Sequence, residues 1–264
     1  MKAWWQGDCV LGGQWIAYRI NPNLPLTEES RGWIANYPGN NLVESAIPDG
    51  LMVISQTCDI RREVEVRPYL EVAPLIKISE PEFQEATKGR RPRLAAIPAL
   101  RDACLVADLD RVFTVEKSEA ATWNRTPGNL SDEERRRLSH RLAQKRGRPA
   151  LPDDFQELMV PLITRWKEKK GKRTAEGAAI LDLAEVRVQA SPHWYAQKVR
   201  LDFWFILDEG TPLGDPALIS QWLGLLDRNG RFGPISGGFT FYDILKVSEY
   251  LDSDEIDTER ISPS

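Results

Sequence analysis

Cysteine, histidine and methionine are scarce in this chain: three Cys, two His and three Met among 264 residues. Cys9, Cys58 and Cys104 are odd in number and lack paired spacing, which argues against a disulfide framework. With only His140 and His193, a zinc centre would have to gather scattered ligands, so neither a metal nor a cofactor is expected. No run reaches the roughly 18 apolar residues that span a bilayer. The opening MKAWWQGDCV meets Asp8 and Gly12-Gly13 too early to hold a signal-peptide apolar region. These absences lead to the expectation of a soluble, cytoplasmic protein with no membrane partner.

What is present is a core-forming composition, 42% hydrophobic with nine tryptophans, on a length that suits one large domain or two modest ones. Charge is unevenly placed. The net charge of −4 divides into −3 over residues 1–120, +7 over 121–173 and −8 over 174–264. A basic middle between acidic ends fits nucleic acid, an acidic partner, or docking of the chain on itself.

Read for elements, the chain is expected to be α+β, with three parts: a β-barrel-like domain over 1–117, a basic helical segment over 118–173, and a two-layer α+β unit with an acidic tail over 174–264. Short strands at 7–11, 14–20, 51–55, 69–78, 92–99, 103–107 and 111–115 suggest a small barrel or sandwich. Pro81 starts a short helix over 80–87. Ser131, with Glu134 in the capping-box position, opens a basic helix that runs to Gly147. A second helix over 153–169 carries Leu158, Leu162 and Trp166 on one face, and Pro161 should kink or divide it. Strands at 185–190 and 197–207, a helix at 216–226, a glycine-rich turn at 230–238 and a last strand at 239–245 complete the reading.

The stretch 51–79 draws attention first, because two Val- and Ile-rich strands bracket a polar insert that begins Gln56-Thr57-Cys58-Asp59. Small polar residues at a strand end suit a ligand loop, and a plain turn with Asp59 bonding its own backbone is the simpler alternative. Catalytic candidates are Asp8, Cys58 and Asp59. Cys58 beside Asp59 could be a nucleophile, with Arg61 and Arg62 lowering its pKa and His140 or His193 folding close. Asp8, Asp59 and Glu63 could converge on a divalent ion. Asp182, Glu185 and Arg187 faintly outline a nuclease motif without its lysine.

Gly7-Asp8 on a first strand, a long loop, the strand VISQ, a polar insert and a strand through VAPL form an order similar to that of the MazF/PemK toxin family. That resemblance covers about the first 80 residues and implies an SH3-like barrel. The family's catalytic arginine precedes the VLS strand, where this chain has Asp49-Gly50-Leu51, and its threonine follows a proline, where Leu75 and Ile76 follow Pro74. RNA cleavage through the 2′-hydroxyl needs a base and a donor for the phosphorane charge. A frame that has lost both groups implies a binding or regulatory module.

A nucleic-acid or acidic-partner surface is suggested by Arg135, Arg136, Arg137, Arg141, Lys145, Arg146 and Arg148, followed by Lys169, Lys170, Lys172 and Arg173. The aromatic residues of a single-strand platform are not interleaved with them. The leading expectation is therefore a non-enzymatic interaction protein of a toxin–antitoxin or phage-defence system with a protein partner. The alternative is a nucleic-acid-binding or RNA/DNA-cleaving effector that uses the 56–59 loop.

Overall fold

A computed structural model describes residues 1–147, 150–226 and 230–256, and the chain divides into two units, Met1–Lys145 and Arg146–Ser264. The first contains β1 (Cys9–Leu11), β2 (Gln14–Arg19), α1 (Glu28–Asn36), β3 (Leu42–Ile47), β4 (Gly50–Val53), α2 (Thr57–Arg61) and β5 (Tyr69–Lys77). It continues with α3 (Glu80–Thr87), β6 (Leu94–Ala96), β7 (Leu105–Asp108), β8 (Phe113–Glu116), α4 (Lys117–Ala120), β9 (Arg125–Thr126) and α5 (Asp132–Gly147). The strands pair in the order β6-β7-β5-β4-β1-β9, antiparallel at every step, with β8 also on β5. β2 and β3 make a separate ribbon.

Among the described residues the path does not close, so the SH3-like barrel expected from the sequence is not formed as a closed barrel. The cause lies in β5. Its first half pairs with β8 and its second with β7, and the β6–β7 pair lengthens the sheet instead of returning to β1. β4 and the middle of β5 are buried on both faces. One face packs Met52, Ala73 and Leu75 with Leu138 and Leu142 of α5. The other packs Leu51, Val53, Leu70 and Val72 with Ile60 of α2 and Ala120 of α4. Burial of each leucine stabilises by about 2 kcal/mol, so the narrow stripe of α5 suffices to hold that very polar helix on the sheet.

The second unit contains α6 (Asp153–Lys169), α7 (Ala175–Asp182), β10 (Leu183–Ser191), β11 (Val199–Leu207), α8 (Pro216–Leu223), β12 (Phe232–Thr240), α9 (Val247–Leu251) and β13 (Asp254–Glu255). Its sheet runs β12-β11-β10-β13. β11 and β12 are parallel and α8 lies between them in the chain, as a crossover requires. Val199, Leu201, Phe203 and Phe205 point into a core shared with Phe155, Leu162 and Trp166 of α6 and Trp222 of α8.

One expectation is corrected here and two others are located in the fold. The stretch read as a glycine-rich turn at 230–238 is largely β12, and residues 241–245 form turns, not a last strand. Gly237 faces Phe203, where an added Cβ would lie 2.7 Å from the Phe203 carbonyl oxygen, so glycine is what lets the strands approach. Of the two outcomes expected at Pro161, a kink or a division, α6 is not divided. Pro161 sits on the exposed side, as does Glu157, whose carbonyl loses its i+4 N–H donor to the proline, while the buried stripe holds both turns. The segment 118–173 is shared: α5 packs in the first unit and α6 in the second.

Candidate functional site

In the first unit, residues far apart in sequence converge where β4 ends and α2 begins. Gln6 is the hub. Its backbone N–H donates to Thr57 Oγ1 at 3.1 Å and its Nε2 to the Ile54 carbonyl at 2.8 Å. Its Oε1 accepts from Ser139 Oγ of α5 at 2.8 Å. The start of α2 and the basic helix are thus tied to one residue, the first through its backbone N–H and the second through its side chain. Gly7 makes this possible: its φ of +91° is left-handed, and an added Cβ would meet Asn129 Nδ2 at 2.0 Å.

Asp8 is buried, and its carboxylate accepts from the Trp5 N–H at 2.8 Å and from Arg125 Nε of β9. That pair joins the start of β1 to its neighbour strand, which is a scaffold role. Burial, and then the Asp8 charge, push the Cys9 thiol up, so it stays protonated in the sheet.

Lys117 is buried under α2. Its Nζ donates to the carbonyls of Asp59 and Arg62, both at 2.7 Å, and so closes the C-terminal end of that short helix. Burial holds its ammonium below the usual lysine range, against the opposing pull of Asp59 and Glu63.

The outer surface at the start of α2 is cationic and aromatic. The Arg61 guanidinium lies 4.0 Å from the centroid of the Trp5 ring, and that of Arg135, from α5, lies 4.6 Å from it. Arg61 Nε also donates to the Trp4 carbonyl at 3.3 Å. Stacking on an aromatic face fixes the plane of a guanidinium and leaves edge N–H groups for a partner.

Asp59 does not bond its own backbone through its carboxylate, which instead meets Arg67 at 3.5 Å and Arg62 at 3.7 Å. Cys58 is exposed, and its Sγ has Gln56 Oε1 at 3.6 Å as its partner; no histidine bonds it. Asp8, Asp59 and Glu63 are not joined by any hydrogen bond. Among the described residues, no group of three His, Cys, Asp or Glu side chains is placed to hold a metal ion.

Many of the basic candidates have intramolecular partners. Arg135 also pairs with Asp132, Arg137 with Glu133 and Lys145 with Asp110. Arg141 donates to the Gly89 carbonyl at 3.3 Å and to Gln144 Oε1 at 3.1 Å. Arg146 and Lys170 are engaged as well. Arg136 is exposed with no ionic partner among the described residues, as are Lys172 and Arg173 after α6. Lys169 is half-buried at the end of α6, and Arg148 lies outside the described residues.

Glu185 and Arg187, read as part of a nuclease motif, are both buried and pair with each other. Arg187 also bonds Ser253 and stacks on Tyr250, and Tyr242 donates to Glu185 Oε2 at 2.8 Å. Burial pushes the Tyr242 hydroxyl well up, so it remains a donor. This network docks the segment 247–256 on β10, and residues 257–259 of the acidic tail lie outside the described residues.

Gln6, Trp5, Lys117 and Arg125 were not singled out from the sequence. Comparison with protein-family models, with curated proteins and with solved structures found no match.

Proposed function

We propose that this chain is a non-enzymatic recognition protein that binds a protein partner through Trp5, Arg61, Arg135 and residues 56–59 at the start of α2, of which Gln56 and Cys58 are exposed. The observation that carries the reading is the pair of guanidiniums, from segments 74 positions apart in the chain, laid against one tryptophan beside that helix start. Tryptophan and arginine dominate protein-interface hot spots. Side chains already held in place give up less conformational freedom on binding. Asp8, the buried candidate for chemistry, is occupied by Arg125 and the Trp5 N–H, which supports a scaffold role.

The MazF/PemK-like order of motifs in the first 80 residues suggests the setting, a bacterial toxin–antitoxin or phage-defence system. In that reading the antiparallel sheet of the first unit is an opened relative of the SH3-like barrel.

The second reading is a nucleic-acid-binding or RNA/DNA-cleaving effector. It is favoured by exposed Cys58 next to Asp59, with Arg62 and Arg67 paired to Asp59 and Arg61 close in sequence, and by Arg136, Lys172 and Arg173, which have no ionic partner among the described residues. Mobility shifts on RNA and DNA over a salt series, with cleavage followed in the same samples with and without Mg²⁺, separate the two. The recognition reading expects intact substrate and no salt-dependent shift. Cleavage that is lost in Cys58→Ala or Asp59→Ala would establish the effector instead.

A further inference from the structure

The second unit carries a groove of about 360 Å³ whose lining includes Leu207, Glu209, Thr211, Phe241, Asp243 and Ile244. Of the lining residues Tyr242 and Ile244 are 52% and 67% exposed, and Val247 and Leu251 of the α9 that follows are 74% and 75% exposed. A lone exposed leucine is ordinary on any protein. Four exposed large apolar side chains in so short a stretch, two of them lining the groove, are of the kind that marks a contact site.

The groove is held in shape from below. The Thr211 hydroxyl donates to the Asp208 carbonyl at 2.8 Å and fixes the turn after β11. The backbone N–H groups of Ile244 and Leu245 both donate to the Phe241 carbonyl at 3.1 Å. Tyr242 is anchored through its hydroxyl to buried Glu185. A preformed floor of this kind takes an apolar side chain without reorganising.

Its rim has one sign. Glu209 and Asp243 are exposed, and among the described residues no cation pairs with either. Two free carboxylates beside an apolar floor repel acidic or phosphate-bearing ligands and attract a lysine or arginine. Recognition of an apolar anchor flanked by charge is how short peptide segments are commonly read. We propose that this groove docks a segment of a partner protein that places an apolar side chain next to a lysine or arginine. The site lies in the other unit from Trp5 and stands whether or not that surface binds anything.

The full chain is tested on an array of short peptides that combine Leu, Ile or Phe with Lys or Arg, and on a matched array with Glu in place of each base. The wild type should retain the basic set at least about tenfold more tightly than the acidic set. Glu209→Lys with Asp243→Lys should reverse that preference, and Ile244→Asp should remove binding to both sets. All three positions are exposed, so the variants keep the fold, which their thermal unfolding midpoints verify. Failure to bind the basic set, equal binding of both sets, or binding unchanged in the variants overturns the proposal. Sedimentation velocity covers the remaining occupant: self-association of the wild type that Ile244→Asp abolishes would assign the groove to a second copy and equally overturn it.

Discussion

Gly7 and Asp8 are adjacent, and each holds the first unit together for a different reason. Gly7→Ala puts a methyl group at φ +91° and within 2.6 Å of Leu138 Cδ2, so it strains the backbone and pushes α5 away from the sheet. The expected cost is at least about 2 kcal/mol, read as a fall in the urea midpoint of the first unit. Asp8→Asn leaves Arg125 without its carboxylate. Because Arg125 keeps part of its side chain in water, the expected loss is about 2 kcal/mol, less than for a wholly buried pair. If Asp8→Asn were neutral in stability yet abolished an activity, the carboxylate would be catalytic and the scaffold role wrong. At this scale the end of β4 was legible, but the 56–59 stretch read as a loop is the N-cap and first turn of the short helix α2. The neighbours of that stretch were not legible. Gln6 lies 51 positions from Thr57 and 133 from Ser139, and no local pattern reports a pairing at such separation.

Helices of the second unit are tied by a buried carboxylate. Glu176 of α7 accepts from Arg165 of α6 at 2.9 Å and 3.0 Å, and from Trp222 Nε1 of α8 at 3.1 Å. The Arg165 guanidinium holds this carboxyl below its ordinary value of 4.5, with help from Trp222. A carboxyl with a depressed folded pKa contributes stability above its unfolded pKa and loses it as pH falls through the folded one. Glu176→Gln should therefore lower stability by about 2 kcal/mol at pH 7. That difference from wild type should shrink below pH 4.5. Denaturation followed by tryptophan fluorescence at neutral and acid pH measures it, and a gap that persists in acid would show that the ionised form is not what matters. The elements themselves were legible where apolar periodicity was strong, as in α6 and β11. They were obscured where local composition and tertiary need disagreed. The glycines of β12 look like a turn until Phe203 is seen pressing on Gly237. Pro161 looks like a break until its side of α6 proves to face water.

Each unit has its own core: Phe155, Phe203, Phe205 and Trp222 anchor one, and the two faces of β4 and β5 anchor the other. Fragments Met1–Lys145 and Arg146–Ser264 expressed separately should each fold and unfold cooperatively, with dispersed NMR amide spectra; a molten fragment would contradict the division. The sequence placed a separate basic segment between two acidic ends because composition registers charge and not which apolar stripe meets which sheet. In the folded chain, much of that charge is matched close by, through Asp132, Glu133 and Asp110, and surface pairs of this kind contribute little beyond neutralisation, while Arg165 is held by buried Glu176. Among the described residues Arg136, Lys172 and Arg173 keep no ionic partner, and the proposed contact at Trp5 rests on Arg61 and Arg135 stacked on its ring. The most direct measurement is co-purification of tagged wild type and of the Arg61→Ala/Arg135→Ala variant from a host expressing the neighbouring genes, with and without nuclease treatment. The account predicts a protein that stays with the wild type after nuclease and is lost from the double variant. A partner retained equally by both, or released by nuclease, would contradict it.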